Sequence, residues 1–496
     1  MKVSQSIFRL YDIRGVAGKE FSPKAIAEFE RWYGKFPGIN ITLDVARAIG
    51  SAYGTFMVRN FKAKEILVGH EYRPFADELN AAFIDGIRST GCNVTDAGIA
   101  LTPIVYFSDC FFKFDGAVNI TGSHNVYFYN GFKMMGKDAS PVFGDDLQTL
   151  WKMIEAEDFI VADKPGTYST KELYPTYEKY ITEHISLKRK LKIVVDTGNG
   201  SAGFFTEQFF TKLECEVISL FKDVDATFPN HVPDPEDRHS MIELGKLVVK
   251  EKADIGIGID ADGDRVGCVD EKGQYVDADI LLLLLSKDVL SRHPGKTIVF
   301  DVKCSRLMEK LIPTFGGKPL MHMTGHAPIK QTLRKNKDVV LGGEVSGHMY
   351  FVEDYFRIDD SFFAAAKILE LLSRTNEPFS SLFVDFPMTV RTPELKLPCA
   401  DEVKFAVVEE IRKKFSATNK TIIIDGVRVL FDDTSWALVR ASNTSPYLTL
   451  RFEADTEARL LEMKNVIADE LERYPEITDR LNRTAVSTYT GRLGWV

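Results

Sequence analysis

Cationic excess is the first thing this sequence lacks. Its 496 residues carry 62 Lys and Arg against 71 Asp and Glu, a formal charge of -9. Non-specific binding to a polyanion needs a clustered surplus of Lys and Arg, so the composition excludes a nucleic-acid-binding class. Any anion the protein handles must be held locally. Cysteine is sparse too: Cys92, Cys110, Cys215, Cys268, Cys304 and Cys399 are scattered with no CxxC pair. That spacing suggests neither a zinc site nor a disulfide framework, and reduced thiols in a cytoplasmic protein are the simpler reading. Long hydrophobic runs are missing. Leu281–Leu285 is far shorter than the ~20 apolar residues of a membrane span, and Met1 to Leu10 has no apolar signal-peptide core. The expectation is a soluble, cytoplasmic protein with no membrane or nucleic-acid partner.

Hydrophobic residues make up 45% and charged residues 27%, enough apolar surface for real cores. At roughly 150 residues per domain the length implies three or four domains. From about residue 40 to 375, short β-branched runs alternate with longer amphipathic stretches, the pattern of α/β units. Strands are expected at Glu65–His70, Gly116–Ile120, Lys192–Asp196, Asp254–Ile259, Thr297–Asp301 and Val339–Gly342. Helices are expected at Asp44–Lys62, Glu78–Thr90, Phe204–Leu213, Ser240–Lys250, Ala278–Arg292 and Asp360–Arg374. Polar, Pro- and Gly-containing stretches at Asp163–Gly166, Glu271–Gln274 and Arg374–Pro378 mark boundaries. They divide the chain into 1–160, 161–272, 273–375 and 376–496. The last segment reads differently: a helix at Asp401–Phe415, strands at Thr421–Asp425, Val427–Phe431, Trp436–Arg440 and Tyr447–Glu453, and a helix at Glu457–Tyr474. The fold class is therefore α/β: three consecutive α/β domains with mixed sheets, plus a C-terminal α+β domain, around a central cleft. No short-period repeat is visible; the three central blocks share the texture that distant copies of one unit would have.

Four loops carry the chemistry. In Gly258-Ile-Asp260-Ala-Asp262-Gly-Asp264-Arg265, an extended chain would turn all three carboxylates to one face. Converging carboxylates repel unless a cation neutralises them, and Mg²⁺ takes oxygen ligands while leaving a position for a phosphate oxygen; a polar turn after a strand is the bland alternative. Thr121-Gly-Ser123-His124-Asn125, with Tyr129-Asn-Gly-Phe-Lys133 just after it, sets a serine hydroxyl beside glycine at a strand end, where a phosphoryl group could sit. An ordinary β-turn has the same residues. Gly343-Glu344-Val345-Ser346-Gly347-His348 groups hydrogen-bonding types suited to reading sugar hydroxyls. Arg440-Ala-Ser442-Asn443-Thr444-Ser445-Pro446 offers a planar fork and small donors for a phosphate. Polar loops and solvated turns account for these two equally well when each is taken alone.

Together, in this order and starting from Phe8-Arg-Leu-Tyr11-Asp-Ile-Arg14-Gly15, the four loops resemble the α-D-phosphohexomutase superfamily and its bacterial phosphomannomutase/phosphoglucomutase branch over essentially the whole chain. The resemblance implies reversible phosphoryl transfer between the 1- and 6-positions of a hexose phosphate, mannose or glucose. It implies a phosphoserine at Ser123 and a hexose 1,6-bisphosphate intermediate or activator. Asp260, Asp262 and Asp264 would hold Mg²⁺ together with the phosphorylated Ser123, and Arg265 would help hold that phosphate. Glu344, Ser346 and His348 would read the sugar, with Tyr11 and Lys303 as further cleft residues. Arg440, Ser442, Asn443 and Thr444 would clamp the distal phosphate. Lys133, Arg14 and His326 match basic residues near the reacting hydroxyl, and His124 adjoins the nucleophile. Because the clamp sits in its own domain, closure by hinge motion near Arg374–Pro378 is expected.

The chain departs from that pattern beside the nucleophile, with Val126 where many relatives have Pro and Gly122 where many have Ala, changes expected to loosen the loop. Val345 is apolar where glucosamine-phosphate mutases resemble a Gln-containing loop, which points towards glucose or mannose phosphates. A phosphoglucosamine mutase and a non-catalytic sugar-phosphate-binding homologue are the alternatives. The aromatic segment Trp32–Gly38 has no assignment from sequence.

Overall fold

The computed structural model describes residues 2–33, 35–353, 355–443, 446–477 and 479–483. Apolar β-branched runs become the central strands. Gly116–Ile120, Ile255–Ile259, Thr297–Asp301 and Val339–Gly343 are buried at every position, as strands covered on both faces must be. Among the described residues they belong to three mixed sheets with one shared plan. In the first, Gly116–Ile120, Glu65–His70 and Asn93–Ile99 run parallel, and Tyr129–Gly136 returns antiparallel beside Gly116–Ile120. In the second, Ile255–Ile259, Lys192–Asp196 and Glu216–Leu220 are parallel and Val266–Val269 returns antiparallel. In the third, Val339–Gly343, Thr297–Asp301 and Lys318–His322 are parallel and Met349–Phe351 returns antiparallel. The strand Tyr168–Thr170 extends the first sheet past residue 160, and Tyr275–Val276 extends the second past residue 272. The fourth sheet, Val390–Arg391 to Tyr447–Ala454, is antiparallel throughout, with the helices Lys404–Ser416 and Glu457–Leu471 against it.

Helix ends follow local chemistry. The helix Leu43–Phe61 is capped by Thr42, whose side chain accepts from the Val45 N–H, with Asp44 in its first turn and Arg59 in its last. It crosses the helix Ala76–Ser89 through glycines: a Cβ on Gly50 would lie 2.1 Å from Phe83 O, and one on Gly86 2.1 Å from Arg47 O. The leucine run Leu281–Leu285 is buried all round inside the helix Ala278–Arg292. No helix among the described residues is long and apolar enough to cross a membrane.

One apolar cluster runs through the first three sheets, from Leu101 and Phe107 through Tyr177 and Ile193 to Leu282 and Phe363. The C-terminal domain has its own core around Val429, Leu450 and Ile467, joined to the third by a small cluster of Val302, Trp436 and Leu438. The first three domains thus share a core, while the fourth keeps its own and meets the third through that cluster and buried bonds such as Arg428 Nη1 to Val302 O at 2.9 Å and Ser305 Oγ to Glu453 Oε1 at 2.6 Å. The segment 376–386 belongs with the third domain: Phe379 and Phe386 lie in the large cluster, and Arg374 is fastened to Asp288 at 2.6 Å. With Phe379 and Phe386 anchored, the segment Arg374–Pro378 expected to act as a hinge is held to the third domain, and the exposed Met388 is the first residue past that anchor with little packing.

Candidate active site

The shared sheet plan puts three of the four loops in one place. Each of the Ser123, Asp260–Asp264 and Glu344–His348 loops joins the last parallel strand to the returning antiparallel strand of its own sheet. This is the carboxyl end of the parallel strands, where open α/β sheets present their sites.

Asp260, Asp262 and Asp264 are fully buried, and their ligand oxygens lie within 4.8 Å of one another. The convergence does not come from an extended chain. Asp260 and Asp264 enclose a turn in which Gly263 has φ +77° and Gly263 N donates to Asp260 O, while Asp260 Oδ1 accepts from the N–H groups of Asp264 and Arg265 at 2.9 and 3.1 Å. Only glycine takes that φ without strain. The loop is reached from the first domain by Thr102 Oγ1 and Thr121 Oγ1, which donate to Asp262 Oδ2 at 2.6 and 3.0 Å, and by Lys133 Nζ at 2.8 Å, which also pairs with Asp264. Ser361 of the third domain donates to Gly263 O.

Burial, then the two neighbouring carboxylates, pushes the Asp260 carboxyl well above its usual range. Burial also works to raise Asp262, but Lys133 outweighs it and holds Asp262 ionised. Burial would lower Lys133 as well, and Asp262 and Asp264 overcome it and raise it. One lysine thus serves a three-carboxylate group, and Asp262 Oδ1 and Asp264 Oδ1 are left buried with no hydrogen-bond partner. Uncompensated, such oxygens cost about 1–3 kcal/mol each, so the donor set fits a hard divalent cation.

Ser123 is 2% exposed, with Oγ 3.3 Å from Asp260 Oδ2 and 3.3 Å from His124 Nδ1. Its φ of +51° is left-handed, a region costly for a non-glycine residue. Burial, then Arg265 and Arg14, keeps His124 neutral by pushing it well below its usual range. Arg14 pairs with Asp12 and leaves Nη1 buried without a partner.

His348 lies between charged groups. Its Nε2 accepts from Arg265 Nε at 3.1 Å, and its Nδ1 stands 3.1 Å from Asp359 Oδ2. Lys330 Nζ donates to the other Asp359 oxygen at 2.8 Å. That arrangement places the imidazole proton on Nδ1 and leaves Nε2 the acceptor. Glu344 is oriented by two bonds, Oε2 accepting from Gly325 N at 2.7 Å and Oε1 from the Tyr350 hydroxyl. It thereby fixes the turn before His326, whose ring faces that of His348 with centroids 5.8 Å apart. Burial, then Lys330, pushes His326 well below its usual range. Ser346 is buried in the same loop, and Lys303 is held by Glu394 at 2.7 Å and Glu236 at 3.6 Å.

From the fourth domain, Arg440 is 5% exposed and Ser442 3% exposed, and Asn443 Nδ2 donates to the Tyr11 hydroxyl at 2.7 Å. Thr444 lies outside the described residues. Sequence reasoning missed Arg73, Lys330, Asp359 and Asp425. Lone residues of these types carry no motif; the one available signal for Arg73 is its place directly after the parallel strand Glu65–His70, on the same sheet end as Ser123.

Family models describe four successive parts of the chain as phosphoglucomutase/phosphomannomutase: α/β/α domain I at residues 5–161, domain II at 175–273, domain III at 277–389 and the C-terminal domain at 394–470. A phosphomannomutase/phosphoglucomutase of Pseudomonas putida is 40% identical over 95% of this chain and 97% of its own. A phosphoglucomutase of Neisseria meningitidis serogroup A is 37% identical over 96% and 98%. Among solved structures, a phosphoglucomutase/phosphomannomutase family protein from Burkholderia thailandensis matches with a TM-score of 0.84 at 36% identity, covering 95% of this chain and 98% of that one.

Proposed function

Because the chain belongs to the phosphoglucomutase/phosphomannomutase family, we propose that it interconverts the 1- and 6-phosphates of glucose or mannose through a phosphoserine at Ser123. It is a phosphohexomutase, an isomerase that acts on hexose phosphates. The observation that carries the serine route is the hydroxyl of Ser123 set 3.3 Å from Asp260, in a carboxylate triplet two of whose oxygens have no partner.

Asp260, Asp262 and Asp264 would hold Mg²⁺ with an oxygen of the phosphorylated serine. When bound, the cation neutralises charge on the transferring phosphoryl group, which with positioning supplies most of the catalysis of such transfers. The chain's own residues do the rest. Arg265 and Arg14 face the phosphoryl group with charge. His326, kept neutral by burial and with Nδ1 unpartnered, takes the proton of the attacking sugar hydroxyl, while His348 Nε2, occupied by Arg265 Nε–H, holds Arg265 towards the phosphoryl group. As the sugar O–P bond forms, the P–Oγ bond to Ser123 breaks, Oγ keeps the bonding pair and takes up the proton that the sugar hydroxyl gave up, and a hexose 1,6-bisphosphate is left. That intermediate turns over in the cleft and returns its other phosphate to Ser123 by the reverse step. Arg440, Ser442, Asn443 and Thr444 hold whichever phosphate is not reacting, while Glu344, Ser346 and Lys303 border the sugar.

Intact-mass measurement and peptide mapping test the reading: active enzyme should carry one phosphate, on Ser123, and Ser123→Ala should lose turnover. A coupled assay with glucose, mannose and glucosamine phosphates assigns the hexose, with Val345 favouring the first two. A fully active alanine variant overturns the phosphoserine route.

A further inference from the structure

Phe36, from the aromatic segment that sequence left unassigned, joins Phe21 and Phe29 in a layer packed onto the loop that carries the nucleophile, while Gly34 and the side chains of Trp32 and Tyr33 lie outside the described residues. Phe128, 2% exposed, lies five residues after Ser123, and its ring centroid is 5.0 Å from Phe21 and 5.4 Å from Phe29. Phe36 closes the layer at 5.8 Å from Phe21 and 5.2 Å from Phe29, while Tyr127 stacks on Phe128 at 4.0 Å. The backbone is tied as well, since Ala17 N donates to Phe128 O at 3.0 Å. Where a proline would stiffen the loop through φ, this chain has Val126, itself packed against the layer.

One side chain ties the backbone on either side of Phe128 to that of the serine. Arg73 is fully buried and donates to three carbonyls of the loop, to Val126 O at 2.9 Å and Tyr129 O at 3.0 Å through Nη1, and to Ser123 O through Nη2. Its Nε pairs with Glu71, whose Oε1 also accepts from Gly122 N at 2.6 Å. The guanidinium lies so close that a Cβ on Gly122 would come 2.3 Å from Arg73 Cζ. The loop expected to be loosened by Gly122 and Val126 is thus gripped: glycine makes room for Arg73, and the aromatic layer stands in for proline. Ser123 is held in its left-handed conformation by contacts on both flanks, and removing any one lets that strain relax.

We propose that the aromatic layer of Phe21, Phe29 and Phe128, acting through Arg73, is a positioning device that sets the orientation of the Ser123 side chain for phosphoryl transfer. The proposal rests on the phosphoserine reading. None of these side chains is among those proposed to hold the sugar or its phosphates, so they act on the chemical step and not on substrate affinity. A misplacement near 1 Å costs transfer about 100-fold in favourable cases.

The test compares Phe128→Ala and Phe128→Leu with Phe56→Ala, a buried phenylalanine of the same domain remote from the loop. Each protein is first confirmed by intact mass to carry phosphate on Ser123, since a parent without it fails the phosphoserine reading and not this one. Phe128→Ala should lower kcat about 10- to 100-fold with KM within about twofold, and Phe128→Leu should restore most of it. Phe56→Ala should lower the melting temperature comparably and leave kcat unchanged. Should Phe128→Ala not fold, Phe21→Ala, at the half-buried edge of the layer, carries the same comparison. If the variant is phosphorylated and its kcat matches the parent, or if its loss lies in KM, the positioning role is wrong.

Discussion

Arg440 Nε stands 3.1 Å from Asp425 Oδ2, so the guanidinium offered to a phosphate is already oriented by a carboxylate of its own domain. The same oxygen accepts from Thr324 N at 3.2 Å, in the loop leading to His326, and Thr324 O accepts from the Tyr11 hydroxyl. Clamp, sugar-side loop and first domain are therefore linked through one short chain of bonds. Asp425 occupies the Nε edge of the fork.

Arg440→Ala should raise the KM for hexose 1-phosphate by the loss of a charge-assisted contact worth about 2–5 kcal/mol, with the metal loop intact. Asp425→Asn, which keeps the shape but weakens the hold on the fork, should raise KM by a smaller factor, about threefold to tenfold. Steady-state kinetics measure both. Solution scattering with and without glucose 1,6-bisphosphate should show a compaction in the parent that Arg440→Ala reduces. An unchanged KM in Arg440→Ala with identical scattering profiles would remove the clamp.

Asp262→Asn should lower kcat/KM about 100-fold or more, because it takes a carboxylate from the cation and frees Lys133 to neutralise Asp264 alone. Chelator titration followed by Mg²⁺ add-back measures the requirement in parent and variant. Full activity of the parent in excess chelator contradicts the metal assignment.

Asp359→Asn should reduce kcat about 10- to 100-fold with KM nearly unchanged, since Asp359 orients both His348, which holds Arg265, and Lys330. Burial works to raise Asp359, and Lys330 and His348 overcome it and hold it well below its usual range. Rapid-quench measurement of phosphate transfer from phosphoserine to sugar isolates the step. A defect confined to KM would return His348 to sugar recognition alone.

Asp109 gives a stability prediction away from the cleft. Burial raises its carboxyl to about 8, and one of its oxygens has no hydrogen-bond partner. In the unfolded chain the same group ionises near pH 4, so between about pH 4 and 8 the folded state holds the extra proton. Its contribution to stability therefore falls as pH rises through that window and is constant above it. Asp109→Asn, which can still accept from Ala139 N through its carbonyl oxygen, should melt higher than the parent at pH 8, by about a few kcal/mol of stability at most, and nearly the same at pH 4. Calorimetric scans across that range check it; a difference independent of pH would show that Asp109 is ionised in the fold.

Much of the secondary structure was legible because it depends on near neighbours. The β-branched run Gly116–Ile120 and the apolar face of Ala278–Arg292 come out with the expected bounds, as short-range periodicity requires. The Asp260–Asp264, Ser123 and Glu344–His348 loops were readable for the same reason, since each is a contiguous cluster of chemically matched side chains. The way the carboxylates converge was not readable, because it depends on the backbone turn at Gly263 and not on alternation.

What the sequence determined by itself was the set of elements and the four loops, all local properties of the chain. Tertiary structure alone decided that three sheets share one strand plan and so bring their loops to one cleft, and that Thr102 reaches Asp262 from 160 residues away. It also decided that Arg73, Asp359 and Asp425, each unremarkable among its neighbours in sequence, stand against Ser123, His348 and Arg440. A lone Arg or Asp has no sequence signature, because its role is set by which distant backbone or side chain the packing of cores places within about 3 Å of it.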